Sequence, residues 1–268
     1  MRKFQIHVFK PKLNIMTKRN FLIILISAAI LACTPAKQST GSTETQRMPA
    51  KFDYSPQSRQ QAGSANLTIA LIKPRFVDKN GTEPQYLTPP FNDMAVSMGN
   101  DFEELLTAKG FTIRGPFGSR DEMVYNDKMN TSFALEINID LNSSQYDRKY
   151  KYNPGMGIIV APNYKISGDV ILGGDLIITA SSPQYGEKIW KKNITLEKLV
   201  FSYEGSVKWA NVPSLADELK QDNVVYNAFA SQLEKYYYQA MNLAWQQIEV
   251  VEMKTVAEQS KKADKKGT

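Results

Sequence analysis

Residues 133–141 read Phe133-Ala134-Leu135-Glu136-Ile137-Asn138-Ile139-Asp140-Leu141. Large apolar side chains stand at every second position, and small, polar or charged ones lie between them. Successive side chains of a strand point to opposite faces, so this stretch has one apolar face and one wet face. That pattern predicts a strand of an antiparallel sheet that is covered on one side only. Downstream, Ile166–Leu172, Asp175–Ala180 and Lys188–Leu196 read as further strands, with Gly173-Gly174 as a turn or a bulge between the first two.

Upstream, Leu67–Ile72 is a short strand ended by Pro74. Met94, Met98, Phe102, Leu105 and Leu106 then recur at helical spacing, with Gly110 as the C-cap. The acidic residues Asp101, Glu103 and Glu104 read as the solvated side of that helix. A second strand, Phe111–Arg114, runs into Gly115-Pro116. From Val224 the period is helical again. Val225, Phe229, Leu233, Tyr237, Met241 and Trp245 form a broad apolar stripe, and Asp222 or Asn223 is the N-cap. The expected architecture is α+β: a mainly antiparallel sheet packed by two main helices, the C-terminal one long.

The ends of the chain have a different composition. Residues 1–32 carry Arg2, Lys3, Lys10, Lys12, Lys18 and Arg19 and no acidic residue. Those six account for the whole formal charge of +6, because the 268-residue chain has 33 basic and 27 acidic residues. Phe21–Ile26 is an unbroken apolar run behind Lys18-Arg19, followed by small residues, which is the order of a secretory signal. Ile30-Leu31-Ala32-Cys33 follows it and has the form of a lipobox, so residues 1–32 are expected to be a signal peptide and Cys33 the acylated residue. Thr34, where a retained inner-membrane lipoprotein has aspartate, points to the outer membrane. Translation from Met16 gives a more typical signal than translation from Met1. Residues 34–66 are rich in Ser, Thr, Gln and Pro, so 33–66 is expected to be a lipidated, disordered tether. The folded domain is then 67–251, and 252–268 a polar, Lys-rich tail that frays.

Composition also narrows the chemistry. The single histidine is His7 and the single cysteine Cys33. A chain cut before Cys33 has no imidazole for a triad or metal site and no thiol pair for a disulfide or zinc cluster. The remainder is neutral overall, which argues against nucleic acid as a partner. Glu136 and Asp140 share a strand face but lie about 13 Å apart by strand rise, beyond the roughly 5–9.5 Å of glycosidase carboxylate pairs. No enzymatic activity, cofactor or metal is expected.

Two stretches remain as candidates for binding. In Tyr146-Asp147-Arg148-Lys149-Tyr150-Lys151-Tyr152, an extended chain puts Tyr146, Arg148, Tyr150 and Tyr152 on one face and Asp147, Lys149 and Lys151 on the other. Tyrosines pack on sugar rings and an arginine fork grips a carboxylate, which suits an acidic sugar. The alternative is a solvated hairpin arm with cross-strand aromatic pairs. Gly155-Met156-Gly157-Ile158-Ile159-Val160-Ala161-Pro162 is either a hairpin tip that touches a membrane or a subunit, or one buried strand.

Several of these stretches together resemble the neuraminyllactose-binding haemagglutinin family, the adhesin and flagellar-sheath lipoproteins of helical Gram-negative bacteria. The resemblance covers about residues 20–250. It rests on the lipobox ending at Cys33, on Ile72-Lys73-Pro74-Arg75-Phe76, and on Leu105-Leu106-Thr107-Ala108-Lys109-Gly110-Phe111. The strand Phe133–Leu141 leading into a basic arm also matches. It implies a lipid-anchored, non-enzymatic binding protein of the outer membrane, the cell surface or the flagellar sheath. It further implies a sialic-acid site at Arg148, Lys149 and Lys151, although this chain interleaves tyrosines there and has fewer lysines. The expected partners are the membrane, a host sialylated glycan, and envelope or flagellar-sheath proteins. A structural role in the envelope is the alternative.

Overall fold

The computed structural model describes residues 45–79, 83–156, 163–207 and 214–266. The expected leader, Cys33 and residues 34–44 lie outside the described residues, as do Gly157–Pro162 of the apolar tip.

The chain is α+β, with a mainly antiparallel sheet. β1 (Thr68–Ile72), β2 (Arg75–Phe76), β3 (Thr112–Phe117), β4 (Phe133–Asn153), β5 (Asn163–Ser181) and β6 (Lys188–Val207) form it. The order is β3-β1-β4-β5-β6, with β2 beside β4. β1 runs parallel to both β3 and β4, whereas β4, β5 and β6 are antiparallel. The helix α1 (Phe91–Ala108) is the crossover between β1 and β3, and the short helix α2 (Tyr125–Met129) lies between β3 and β4. Its C-terminus closes as the periodicity predicts: Gly110 N–H donates to Thr107 O at 2.9 Å and Phe111 N–H to Leu106 O at 3.1 Å. These are the two bonds of a Schellman cap.

The alternation around Ile137 has the predicted sense. Leu135, Ile137, Ile139 and Leu141 are buried beneath the helices, together with Val170, Leu172, Leu176 and Ile178 of β5. On the other face, Arg75 pairs with Glu136 and Lys79 with Asp140. The strands are much longer than their apolar runs. β4 has 21 residues and so spans about 70 Å. Gly173-Gly174 is not a turn. β5 continues through it, and the irregularity is an extra residue on β6, where Leu172 pairs Leu199 but Gly174 pairs Leu196. Glycine is required at 174 because a Cβ there would lie 2.0 Å from Asp140 O.

The C-terminal helical stripe is divided. α4 (Asn223–Gln247) is capped by the Asp222 carboxylate, which accepts from Val224 N–H at 2.7 Å and Val225 N–H at 3.1 Å. The backbone at Ile248 is extended and interrupts it. A further helix, α5 (Val250–Lys266), occupies the stretch expected to fray as a tail. Met253, Val256, Ala257, Ser260 and Ala263 recur at helical spacing and are buried, so the lysines between them cover only the outer side.

The expectation of disorder over 33–66 is also corrected for residues 45–66. They form neither helix nor strand until β1, yet they pack along α4 and α1. Phe52 and Tyr54 are buried in the main core. Their backbone donors meet side-chain acceptors: Met48 N–H meets Asn227 Oδ1 at 2.9 Å, Lys51 N–H Glu234 Oε1 at 2.6 Å, and Tyr54 N–H Asp101 Oδ2 at 2.6 Å. Asp101 is therefore not on a solvated face. It is buried, accepts a second hydrogen bond from Tyr237 Oη, and has its pKa raised by burial against these opposing bonds. A composition rich in Ser and Gln hid the segment because two aromatic anchors and partners for the backbone are enough to order it.

Ile137→Ala removes a fully buried side chain and leaves a cavity, and should cost about 2–5 kcal/mol in denaturant unfolding. Tyr54→Ala should cost on the order of 3 kcal/mol by the same mechanism and open residues 45–60 to protease. Unchanged cleavage there would mean that this segment is not held by its aromatic anchor.

Candidate functional site

The Tyr/Lys/Arg stretch is the distal third of β4. It remains paired to β5 as far as Asn153, opposite Asn163. One feature changes its expected faces. Tyr146 pairs Asp169 and Lys149 pairs Ser167, so β4 takes three steps where β5 takes two. Asp147 lies at φ 50°, in the left-handed region. This is a β-bulge, and the extra residue reverses the alternation beyond it. Beyond it Arg148, Tyr150 and Tyr152 share the core-side phase and Lys149 and Lys151 the outer one, while the side chain of Tyr146 lies outside the described residues.

On the core side, Arg148 is mostly buried and forms an ion pair with Glu218 of α3 (Leu215–Gln221). Glu218 is completely buried and also accepts from Tyr203 Oη at 3.1 Å. The guanidinium lies 4.9 Å from the centre of the Tyr150 ring. Burial pushes the Tyr203 phenol up to about 12, with Arg148 opposing that rise. Gly168 faces the bulge across the ladder, and a Cβ there would meet the Tyr203 ring at 3.0 Å. The arginine fork expected to hold a ligand carboxylate thus holds a carboxylate of its own chain. Glu218 was missed because nothing in its local sequence distinguishes it from an ordinary solvated helix acid.

The opposite, outer face is different. Lys149 and Lys151 are exposed there, and Lys151 stands directly across the ladder from Lys165. Lys165 is an exposed cation that reading the arm alone did not reveal. These three lysines, Ser167 and Glu204 line a shallow depression of about 380 Å³. Like charges directly opposite each other destabilise a sheet, so a bound anion would relieve this pair. On the core side, beyond Tyr150, Tyr152 is half exposed and packs its ring on Tyr164 at 5.3 Å. Glu136 and Asp140 lie far along the same strand in ion pairs with Arg75 and Lys79. Among the described residues, no group of three or more His, Cys, Asp or Glu could hold a metal ion, and no helix is long and apolar enough to cross a membrane.

The Arg148–Glu218 pair makes a stability prediction. Removing one partner strands a buried charge, so Arg148→Ala or Glu218→Ala should each cost about 3–5 kcal/mol. The double variant Arg148→Met/Glu218→Leu should recover most of that loss. Single variants that unfold like the parent would show that the pair is solvated.

No protein-family model and no curated protein matches the chain. Solved structures of several bacterial proteins align with it, to very different extents. A neuraminyllactose-binding hemagglutinin homolog from Helicobacter pylori superposes with a TM-score of 0.52 at 12% identity, over 78% of this chain and 98% of that one. A lipoprotein from Neisseria meningitidis, at 12% identity over 63% of this chain and 99% of that one, has a TM-score of 0.21. A minor lipoprotein from Acinetobacter baumannii, at 12% identity over 63% and 89%, has a TM-score of 0.18. The last two are too remote in shape to carry an argument, and the first establishes that this chain shares its fold with the Helicobacter protein.

Proposed function

We propose that the chain is a lipid-anchored outer-membrane protein, acylated on Cys33. It acts as a non-enzymatic binding protein for an anionic partner. The observation that supports this most directly is the outer face of the arm. Lys149, Lys151 and Lys165 are exposed on neighbouring rungs and have no ion-pair partner among the described residues. Three cations against the single carboxylate of Glu204 form a surface that favours negative charge. The shared fold and the sequence resemblance nominate a sialylated glycan as that partner, which would make the protein an adhesin of the haemagglutinin type. Recognition would then depend on lysine point charges, because the bidentate fork of Arg148 is occupied. A structural role in the envelope or flagellar sheath is the second reading. It is favoured by β6, which has 20 residues and a strand neighbour on one side only, a template for pairing with another protein.

Palmitate should label the wild-type chain and not Cys33→Ala, and the variant should accumulate as uncut precursor. Label that persists in the variant sinks the anchor. Calorimetry should show heat with sialyllactose but not with lactose, and the heat should vanish in Lys149→Glu/Lys151→Glu/Lys165→Glu. Equal or absent heats for the two sugars discard the glycan and bring the structural reading forward.

A further inference from the structure

The long ribbon of β4, β5 and β6 has one end that is special in three independent respects. The first is charge. The rung Lys151–Lys165–Ser206 and the rungs beyond it carry two lysines and no carboxylate, and Lys149 stands one position back, opposite Ser167 and Glu204. The second is amphipathic character. Tyr152 is 55% exposed and Met156 is 74% exposed, so an aromatic ring, on the face opposite the lysines, and a thioether are exposed at the same end. Tyrosine is suited to an interface that is wet on one side and apolar on the other.

The third is the place where the N-terminal segment joins the domain. Asn223 Nδ2 donates to Thr45 O at 2.8 Å. Its neighbour Asp222 accepts from the backbone N–H of Ser206. Ser206 pairs Lys165, which pairs Lys151. Thr45 is therefore linked through a short series of contacts to the lysine end of the ribbon. Twelve residue steps separate Thr45 from Cys33, a reach of at most ~40 Å. The ribbon is longer than that, at roughly 65 Å for 20 residues. An anchor at Cys33 therefore keeps the lysine end within ~40 Å of the bilayer.

We infer that the lysine end of the ribbon, formed by Lys149, Lys151 and Lys165 with Tyr152 and Met156 at its tip, docks on the phosphate headgroups of the membrane that holds Cys33. This rests on the reading of Cys33 as the lipid anchor and of the outer lysines as the binding surface, and it names the partner of that surface. The lysines meet lipid phosphates, while Tyr152 and Met156 reach the headgroup boundary. The anchor holds the lysines at the headgroups at high effective concentration, and each lysine adds its own attraction to an anionic lipid.

The test uses the chain from residue 33 with Cys33→Ser, which removes the anchor and leaves the surface. Co-sedimentation is measured with three kinds of vesicle: phosphatidylcholine, phosphatidylcholine with phosphatidylglycerol, and phosphatidylcholine with a sialylated glycolipid matched in surface charge. The chain should bind the phosphatidylglycerol vesicles and not the neutral ones. Each Lys→Gln change at 149, 151 or 165 should weaken binding about fivefold, and the triple change about a hundredfold. Lys188→Gln/Lys191→Gln, at the opposite end of the ribbon, should leave it unaltered. Circular dichroism confirms that every variant is folded. Equal binding to neutral vesicles, no binding to phosphatidylglycerol, or equal weakening by the Lys188/Lys191 variant overturns the docking. Retention on the sialylated vesicles alone overturns it in favour of the glycan. Palmitate labelling of wild type reports the anchor separately, so an acylated chain that ignores phosphatidylglycerol refutes the docking and keeps the anchor.

Discussion

The constraint on which this structure depends is the two-residue period of the pleat, together with the single place in the arm where β4 breaks it. Across Phe133–Leu141 the period puts isoleucine and leucine under the helices and carboxylates outside. The extra residue at Asp147–Arg148 then reverses the phase. Without that bulge, Arg148 would fall on the outer face, and Lys149 and Lys151 would be directed at α3. Burying two lysines beneath α3, where Glu218 is the buried carboxylate, is costly, whereas one arginine pairs with it. One left-handed residue in an otherwise extended strand thus separates an inward arginine from an outward row of lysines.

Buried acids connect the parts of the fold that the sheet does not. Asp101 receives Tyr54 N–H from the N-terminal segment and Tyr237 Oη from α4, and so ties that segment to two helices. Glu218 receives Arg148 and Tyr203 and joins α3 to two strands. Each is a polar group in a low-dielectric interior with its partners in place, an arrangement that selects one geometry because any slip would leave a charge unpaired. Asp222, also buried, has the same connecting role, capping α4 while accepting from Ser206 of β6.

The chemistry available outside the core is sparse and of one kind. The acidic groups of the sheet's wet face are largely matched: Glu136 by Arg75, Asp140 by Lys79, Asp175 by Thr195 Oγ1 at 2.7 Å and Asp169 by Ser202 Oγ at 2.5 Å. At the end of the arm three lysines cluster on two rungs with Glu204 as the one carboxylate beside them, and that local excess carries the functional reading. The shape shared with the Helicobacter hemagglutinin homolog speaks to fold alone, since one fold supports unrelated functions.

The sequence by itself determined the elements whose period is strong. The alternation about Ile137, the stripe of α1 with its Gly110 cap, and the stripe of α4 behind Asp222 all depend on local spacing, and neighbours along the chain decide such spacing. Two polar segments, 45–66 and 252–266, were misread for the same reason. Their few apolar anchors, Phe52, Tyr54, Met253 and Val256, take effect only when a distant surface is present to receive them. The candidate site divides along the same line. That the arm is basic and aromatic was legible from 146–152. Which face each residue occupies, that Glu218 claims Arg148, and that Lys165 joins Lys149 and Lys151 were decided by the bulge and by strand register. Those depend on how many residues face one another across a ladder, a quantity that exists only once the strands have paired.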